Sequence, residues 1–386
     1  MRILHYCAHS GGFIYDWHLY HMIDELRFAG HEVIYCNPVE IMGRSGSAQE
    51  YSQVLRDEVE RLLKDGAIDL FFGTIIDATL LPEAIDDLRA RGIVTVNLST
   101  DDYSHPFRVR KVAGHFDVNW STVRENLDII RGYGANVIMM PWGANPRVFA
   151  PVQVPEDRVI GFMGTTYGAR ARNIAVLQQA DVPVRVHGTA PDIFYKSSSR
   201  VNNPLSRAIG NFSESWQRVR DGVGFSAGRA CISSVIWRSV LELFGSLPEK
   251  QLDNSKVEYL PGPRFEDFSR CISAMALSLG SIELCSTYVY RKPLLFIRLR
   301  EFEVAMSGGV HLVNRFPELE EYFEPDREML YYDSLEELVD KARFYLQADQ
   351  DKARQRIREQ ARARSLSDHT WLSRFRRIGD QVGLSF

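Results

Sequence analysis

The sequence predicts an α/β fold built from two successive domains, each a mostly parallel sheet flanked by helices. Three observations predict it. Short apolar runs alternate with helically spaced apolar segments from Arg2 to Met140. A proline-marked linker, Pro151-Val-Gln-Val-Pro155-Glu-Asp157, then interrupts the pattern. The alternation restarts at Val159, and such βα repetition is the signature of parallel sheets. The chain has 386 residues, more than one ordinary domain of about 150 residues holds.

The elements follow in order. Arg2 to Ala8 reads as a buried strand that breaks at Ser10-Gly11-Gly12. Trp17 to Arg27 carries Leu19, Met22, Ile23 and Leu26 at helical spacing, with Gly30 placed as a C-terminal cap. Strands are expected at His31–Tyr35, Ile68–Phe72, Ile93–Leu98, Phe116–Trp120 and Val137–Met140, and helices at Arg56–Leu63 and Leu81–Ala90. In the second half, strands are expected at Val159–Met163, Val184–His187, Val257–Leu260, Val310–Val313 and Glu328–Tyr332. Ser334-Leu-Glu-Glu337 is a capping box that opens a helix to about Leu346. Residues 193–250 read as a mainly helical insertion. Residues 351–380 are charged and helical, anchored by Trp371 and Phe375. The expected domains are 1–150, 151–350, and a C-terminal segment 351–386 that crosses back to the first.

Composition narrows the function. Hydrophobic residues make up 45% and charged residues 25%, the balance of a globular chain. Lys and Arg number 46 against 50 Asp and Glu, so a basic nucleic-acid footprint is not expected. No apolar run approaches the roughly 18 residues of a transmembrane helix. The start, Met1-Arg-Ile-Leu-His-Tyr-Cys7, turns polar too early for a signal peptide. Five cysteines without a CxxC pair argue against a disulfide framework or zinc finger and fit a reducing cytoplasm.

The strongest motif is Arg298-Leu-Arg300-Glu-Phe-Glu303-Val-Ala-Met-Ser307-Gly308-Gly309-Val-His311. It reads as a helix, a glycine break and a strand. Helix-start amides suit a diphosphate, and Arg298 and Arg300 add charge there. Glu303, one turn on, could hold ribose hydroxyls or pair with Arg300 on a surface helix. This stretch, with Pro317–Pro325, Glu328–Leu338 and Asp368-His369-Thr370-Trp371 with Arg374, resembles the glycosyltransferases related to the spore maturation protein CgeB. The resemblance is dense from about 257 to 375. It implies a GT-B fold, two Rossmann-like domains facing a central cleft with a nucleotide-sugar between them. It also implies that Glu303 holds the donor ribose. Many retaining relatives carry another glutamate eight residues earlier, where this chain has Leu295.

A second constellation is Val159-Ile-Gly161-Phe-Met-Gly164-Thr165-Thr166-Tyr167-Gly168-Ala-Arg170-Ala-Arg172, a strand, glycine loop and helix start. It is neither a Walker A motif nor GxGxxG. It is either a turn with solvated arginines or, by the resemblance, the place where Gly164, Thr165, Arg170 and Arg172 meet the diphosphate. His187-Gly188-Thr189 ends a strand and could face the base. Gly308 and Gly309 complete the expected donor set. Pro261-Gly262-Pro263-Arg264 reads mainly as architecture.

In the first domain, His9-Ser10-Gly11-Gly12 follows the first strand, and Thr100-Asp101-Asp102-Tyr103-Ser104-His105-Pro106 follows another. Asp102, His105 and His9 are the candidate bases for an acceptor hydroxyl, with Gly11, Gly12 and Asp101 near the acceptor. Asp101 could instead make an Asx turn before Pro106. Trp142-Gly143-Ala144-Asn145-Pro146 reads as an interdomain segment. Asp101-Asp102 is not the Asp-x-Asp pattern of a metal-dependent transferase, and the His and Cys residues show no zinc spacing.

The expected activity is transfer of a sugar from a nucleotide diphosphate sugar to a hydroxyl of a glycan, small molecule or protein. No metal and no cofactor beyond that substrate is expected. The alternatives are a non-enzymatic structural or coat-associated protein, or a nucleotide-sugar epimerase or hydrolase.

Overall fold

A computed structural model describes residues 1–100, 103–188, 222, 224–245, 247 and 252–386. The chain divides into two compact units, Met1–Asn145 with Thr370–Phe386, and Pro146–His369. The division falls a few residues before the expected linker. Of the expected C-terminal segment, 351–369 stays with the second unit and 370–386 joins the first.

The first unit holds strands β1 (Arg2–Tyr6), β2 (Glu32–Cys36), β3 (Leu70–Gly73), β4 (Val94–Ser99), β5 (Val118–Ser121) and β6 (Val137–Met139). They form one sheet in the order β2-β1-β3-β4-β5-β6. Every pairing is parallel, as the βα alternation predicts. Helices Ala48–Leu63 and Pro82–Ala90 cover one face, with Tyr51, Leu55, Val59, Ile85 and Leu88 packed on Leu4, Tyr6 and Phe71. Ser47 starts the first of these helices: Glu50 N donates to its Oγ at 3.3 Å and Ser47 N donates to Glu50 Oε2 at 2.8 Å. The helix expected at Trp17–Arg27 begins earlier, at Gly12, and passes through a π-helical turn at Leu19–Ile23.

The C-terminal helix Trp371–Val382 also belongs to this unit. Its Phe375 lies 4.9 Å from Phe72 and its Trp371 lies 5.5 Å from Trp120, ring centroid to centroid. Gly143 lets the backbone pass close: a Cβ there would stand 2.8 Å from Trp371 N. Glu25 caps the helix, accepting from Trp371 N at 3.2 Å and Leu372 N at 3.1 Å. These are two of the amides that a helix start leaves without intrahelical partners.

The second unit holds β7 (Asp157–Met163), β8 (Val184–His187), β9 (Glu258–Leu260), β10 (Met275–Leu279), β11 (His311–Asn314) and β12 (Leu330–Tyr332). Its order is β12-β11-β10-β7-β8-β9, again all parallel. Sequence reasoning missed β10. Met275-Ala-Leu-Ser-Leu279 is made of good helix formers and directly follows the helix Phe265–Ser273. Its central place in the sheet, with every residue buried, makes it a strand. Of the expected insertion at 193–250, the helix Ser226–Leu243 is described. Residues 193–221 lie outside the described residues.

Burial pushes the Glu25 carboxyl up to about 7, against the opposing pull of the Leu372 and Trp371 amides. A raised folded-state pKa contributes stability that is complete below the unfolded value, about 4.5, and is lost as pH rises through about 7. Thermal unfolding of the parent should therefore fall relative to Glu25→Gln between pH 4.5 and 7 and run parallel above pH 8. A melting difference that does not change with pH would contradict this role.

Candidate functional site

Strands β7 and β8 end in loops that touch backbone to backbone. Gly164 (φ 141°) follows β7, and its N–H donates to His187 O at 2.9 Å. Gly188 follows β8, and its N–H donates to Leu260 O at 2.9 Å. A Cβ on Gly188 would overlap the Gly164 carbonyl oxygen, so only glycine fits there. Gly168 (φ 56°) then turns the chain into the helix Ala169–Gln179.

Arg170 sits in the first turn of that helix. Its guanidinium donates to Thr165 O at 3.1 Å and lies 4.7 Å from the Tyr167 ring and 5.7 Å from the Phe162 ring. Arg298 is the N-cap of the helix Leu299–Met306. Its Nη2 donates to Glu283 O at 2.9 Å, its guanidinium lies 4.2 Å from the Phe296 ring, and its Nε is buried with no hydrogen-bond partner among the described residues. Arg300, over Phe268 at 4.6 Å, donates to Glu303 Oε2 at 2.6 Å. Burial first, and then the Arg298 charge, pushes Arg170 down to about 10, with a smaller contribution from Arg300. Three guanidiniums thus gather at two helix starts. A buried guanidinium beside two further positive charges suits an anion, because a bound anion removes the repulsion. Planar guanidiniums match phosphate oxygens bidentately.

Arg172 does not join them. Its Nη2 donates to Glu283 Oε1 at 2.6 Å and to Asn173 Oδ1 at 2.7 Å. Glu283 also accepts from Asn314 Nδ2 at 3.0 Å and Ser281 Oγ at 2.9 Å, and its side chain is 1% exposed. Two residues apart on a helix lie about 200° apart, so Arg170 and Arg172 face different ways. The expectation for Arg172 is corrected: it braces the segment after β10.

Gly308 and Gly309 are likewise corrected. They lie at the C-terminal end of the helix Leu299–Met306, away from its amides. Gly308 adopts φ 70°, and a Cβ on Gly309 would stand 2.6 Å from Ile272 Cγ2. Their glycine is a packing requirement. Arg362 closes this helix end by donating to Met306 O and Phe149 O.

Glu303 is 4% exposed and holds Arg300, the helical pair that its spacing allows. Thr165 lies in the loop that Arg170 pins. His187 is buried at the end of β8, and burial, then the Arg185 charge, lowers its pKa. Thr189 is outside the described residues. Glu301, which sequence reasoning missed, is buried and accepts from Arg298 N at 2.6 Å, with His311 Nε2 at 3.6 Å. Its signal was the spacing Arg298-x-x-Glu301, the N-cap to N3 interval.

In the first unit, His9 is an anchor. Asn37 Oδ1 accepts from His9 N at 3.3 Å and Val39 N at 3.2 Å, so the Asn37 amide nitrogen must face His9. That nitrogen donates to His9 O at 3.0 Å and approaches Nε2 at 3.4 Å, while Tyr35 Oη is bonded to the same Nε2. Nε2 is thus engaged by Tyr35 and Asn37, and burial lowers the pKa of the half-buried ring. Behind it, His5 and His18 share a buried 2.9 Å bond, and burial pushes His5 down to about 3. Gly11 caps the helix that Gly12 begins, and both are exposed. His105 bonds through Nδ1 to Ser104 Oγ at 2.8 Å. Asp101 and Asp102 lie outside the described residues. In the segment 142–146, Asn145 Nδ2 donates to Tyr20 O at 2.8 Å and Asp24 Oδ2 at 3.1 Å. Among the described residues no group of three or more His, Cys, Asp or Glu side chains is placed to hold a metal.

The family model described as "Glycosyl transferase-like" matches residues 240–380, which include Glu283, Arg298, Arg300 and Glu303. No curated protein matches the chain. Among solved structures, a glycosyltransferase from Rickettsia africae is similar over 99% of this chain and 98% of its own, with TM-score 0.57 and 9% identity. HepE of Anabaena, solved with UDP and glucose, is similar over 99% of both chains, with TM-score 0.55 and 12% identity. Sucrose-phosphate synthase from Thermosynechococcus elongatus is similar over 99% of this chain and 98% of its own, with TM-score 0.54 and 12% identity.

The fold is GT-B. The two parallel sheets are its Rossmann-like units, and the arginine cluster lies at the ends of strands in the second of them, where ligands of such open sheets bind.

The cluster makes a test that separates folding from binding. Arg170→Met keeps the apolar contact with Tyr167 and removes one of three like charges. Without added anion it should melt no lower than the parent. Inorganic pyrophosphate should stabilise the parent and do so much less for the variant. An equal pyrophosphate shift in both proteins would take Arg170 out of the site.

Proposed function

We propose that this GT-B protein is a glycosyltransferase that moves a sugar from a nucleotide diphosphate sugar to an acceptor hydroxyl. The observation that carries the reading is the gathering of Arg170, Arg298 and Arg300 at two helix starts of the second unit, within or beside the glycosyl transferase-like region. The solved complexes of HepE with UDP and with UDP-glucose support a nucleoside diphosphate as the ligand class.

In this reading the bond from the sugar anomeric carbon to the diphosphate breaks while a bond to the acceptor oxygen forms. Negative charge grows on the departing phosphate, and the three guanidiniums with the free amides of the helix starts stabilise it there. This neutralisation is the ground for proposing a metal-independent enzyme with no cofactor besides its donor. Glu303 meets the ribose: the diphosphate becomes a partner for Arg300, and the Glu303 carboxylate turns to the sugar hydroxyls. The acceptor proton goes to Asp102 or His105 in an inverting transfer, or to the leaving phosphate in a retaining one. Gly164, Thr165 and His187 would line the donor. Gly11, Gly12 and Asp101 would lie near an acceptor from among glycans, small molecules or proteins.

Two finer assignments belong to the same proposal. The protein groups with the CgeB-related glycosyltransferases, a reading supported by its resemblance over residues 257 to 375, and it works in the cytoplasm, a reading supported by cysteines without a disulfide pattern. No described helix is long and apolar enough to cross a membrane.

A panel of UDP, GDP, dTDP and CDP in thermal-shift assays should yield at least one stabilising nucleotide. Glu303→Gln should weaken that nucleotide by about 1–3 kcal/mol, the worth of one charged hydrogen-bond partner, without weakening pyrophosphate binding, since it frees Arg300. Equal loss for both ligands would move Glu303 from the ribose to the phosphates. No shift with any nucleotide would sink the donor reading.

A further inference from the structure

Cys285 stands in an unusual place. It follows β10 in a turn closed by Thr287 N donating to Leu284 O at 3.0 Å and by the Thr287 hydroxyl donating to the same oxygen at 2.6 Å. Its φ of 50° is left-handed, which is uncommon for a residue with a side chain. The turn sets its carbonyl against Gly168, where a Cβ would stand 3.4 Å from Cys285 O. Its thiol meets the Cys231 thiol in a hydrogen bond. Cys231 is buried on the helix Ser226–Leu243, while Cys285 is exposed. That helix is fastened to the same turn by Ser233 Oγ with Tyr290 Oη at 2.7 Å and by Arg238 Nε donating to Tyr288 Oη at 2.9 Å. The helix that carries Cys231 and the turn that carries Cys285 are thus tied to each other by two side-chain hydrogen bonds just past the two cysteines.

The thiols also differ in chemistry. Burial pushes Cys7 and Cys36 up to about 12, and Cys271 is raised as well. Cys285 is lowered, first by the bond from Cys231 and further by the Arg298 charge. The thiolate is the nucleophile in disulfide exchange, and an accessible one beside a second thiol has a resolving partner.

We propose that Cys231 and Cys285 form a redox-active dithiol that low-molecular-weight disulfides oxidise to an intramolecular disulfide. The Cys285 thiolate attacks one sulfur of the disulfide RSSR. The S–S bond breaks, RS⁻ leaves, and a mixed disulfide forms at Cys285. Cys231 gives its proton to solvent and attacks the Cys285 sulfur, displacing the second RS⁻. The protein loses two electrons, and RSSR is reduced to two RSH. The product joins the helix Ser226–Leu243 covalently to the turn next to Arg298. This proposal stands apart from the glycosyltransferase reading, since it needs no donor.

The test uses the full chain incubated with oxidised glutathione at pH 7.5, quenched with N-ethylmaleimide, digested and analysed by mass spectrometry. The expected product is a Cys231–Cys285 linked peptide that dithiothreitol reverses. Cys231→Ser should stop at a glutathione adduct on Cys285, formed at least about tenfold faster than any adduct on Cys271. Cys285→Ser should give no rapid adduct, with its circular dichroism unchanged. Absence of the linked peptide from the parent, or equal adduct rates at Cys285 and Cys271 in Cys231→Ser, would overturn the proposal.

Discussion

The site depends on like-charge crowding. Arg170, Arg298 and Arg300 are close enough for the charges of the last two to hold down the pKa of the first, in surroundings that already disfavour charge. Such an arrangement opposes folding unless something else fixes it. Aromatic faces do part of this, since each of the three guanidiniums lies over a ring: Tyr167, Phe296 and Phe268 in turn. Carboxylates do the rest, with Glu303 on Arg300 and Glu301 beneath the Arg298 amide. A functional site commonly retains this kind of local conflict, and a dianion is the ligand that resolves it.

The surrounding sheet supplies rigidity. The buried Glu283 gathers Arg172, Asn314 and Ser281 at the strand ends. Asn173 Nδ2 donates to Tyr332 Oη at 2.9 Å nearby. Removing one member would strand a buried charge or donor, so the network makes the geometry costly to disturb. The helix Leu299–Met306 is fixed at both ends, by Glu301 at its start and Arg362 at its finish. Arg298 and Arg300 therefore project from an element with little freedom to move.

Much of this was legible in the sequence. All six strands of the first sheet and five of the second follow from apolar runs between turn residues. Strand β10 did not, because Met275-Ala-Leu-Ser-Leu279 has helical composition and only its neighbours on both sides make it a strand. The two motifs that carry Arg170, Arg298, Arg300 and Glu303 were legible as strand-loop-helix and helix-glycine-strand segments. Arg172 was grouped with Arg170 because both lie in one motif, although helical geometry already separates them. Gly308 and Gly309 were grouped with the donor residues because they share one motif with Arg298 and Glu303, although they follow the helix and only its N-terminal end presents amides. His9 seemed a base because a histidine after a first strand is well placed, and the sequence does not reveal that Asn37 and Tyr35 engage its Nε2. Glu283 carried a faint signal as a carboxylate between Ile282 and Leu284.

The central claim is that the arginine cluster binds the diphosphate, and the ligand itself tests it most directly. Isothermal titration of the parent protein with uridine, UMP and UDP, or the same series on whichever base stabilises it, measures what each phosphate adds. The account predicts that affinity rises with each phosphate, by at least about a hundredfold from nucleoside to diphosphate, and that the gain shrinks as salt is added. Equal affinities for nucleoside and nucleoside diphosphate would contradict it.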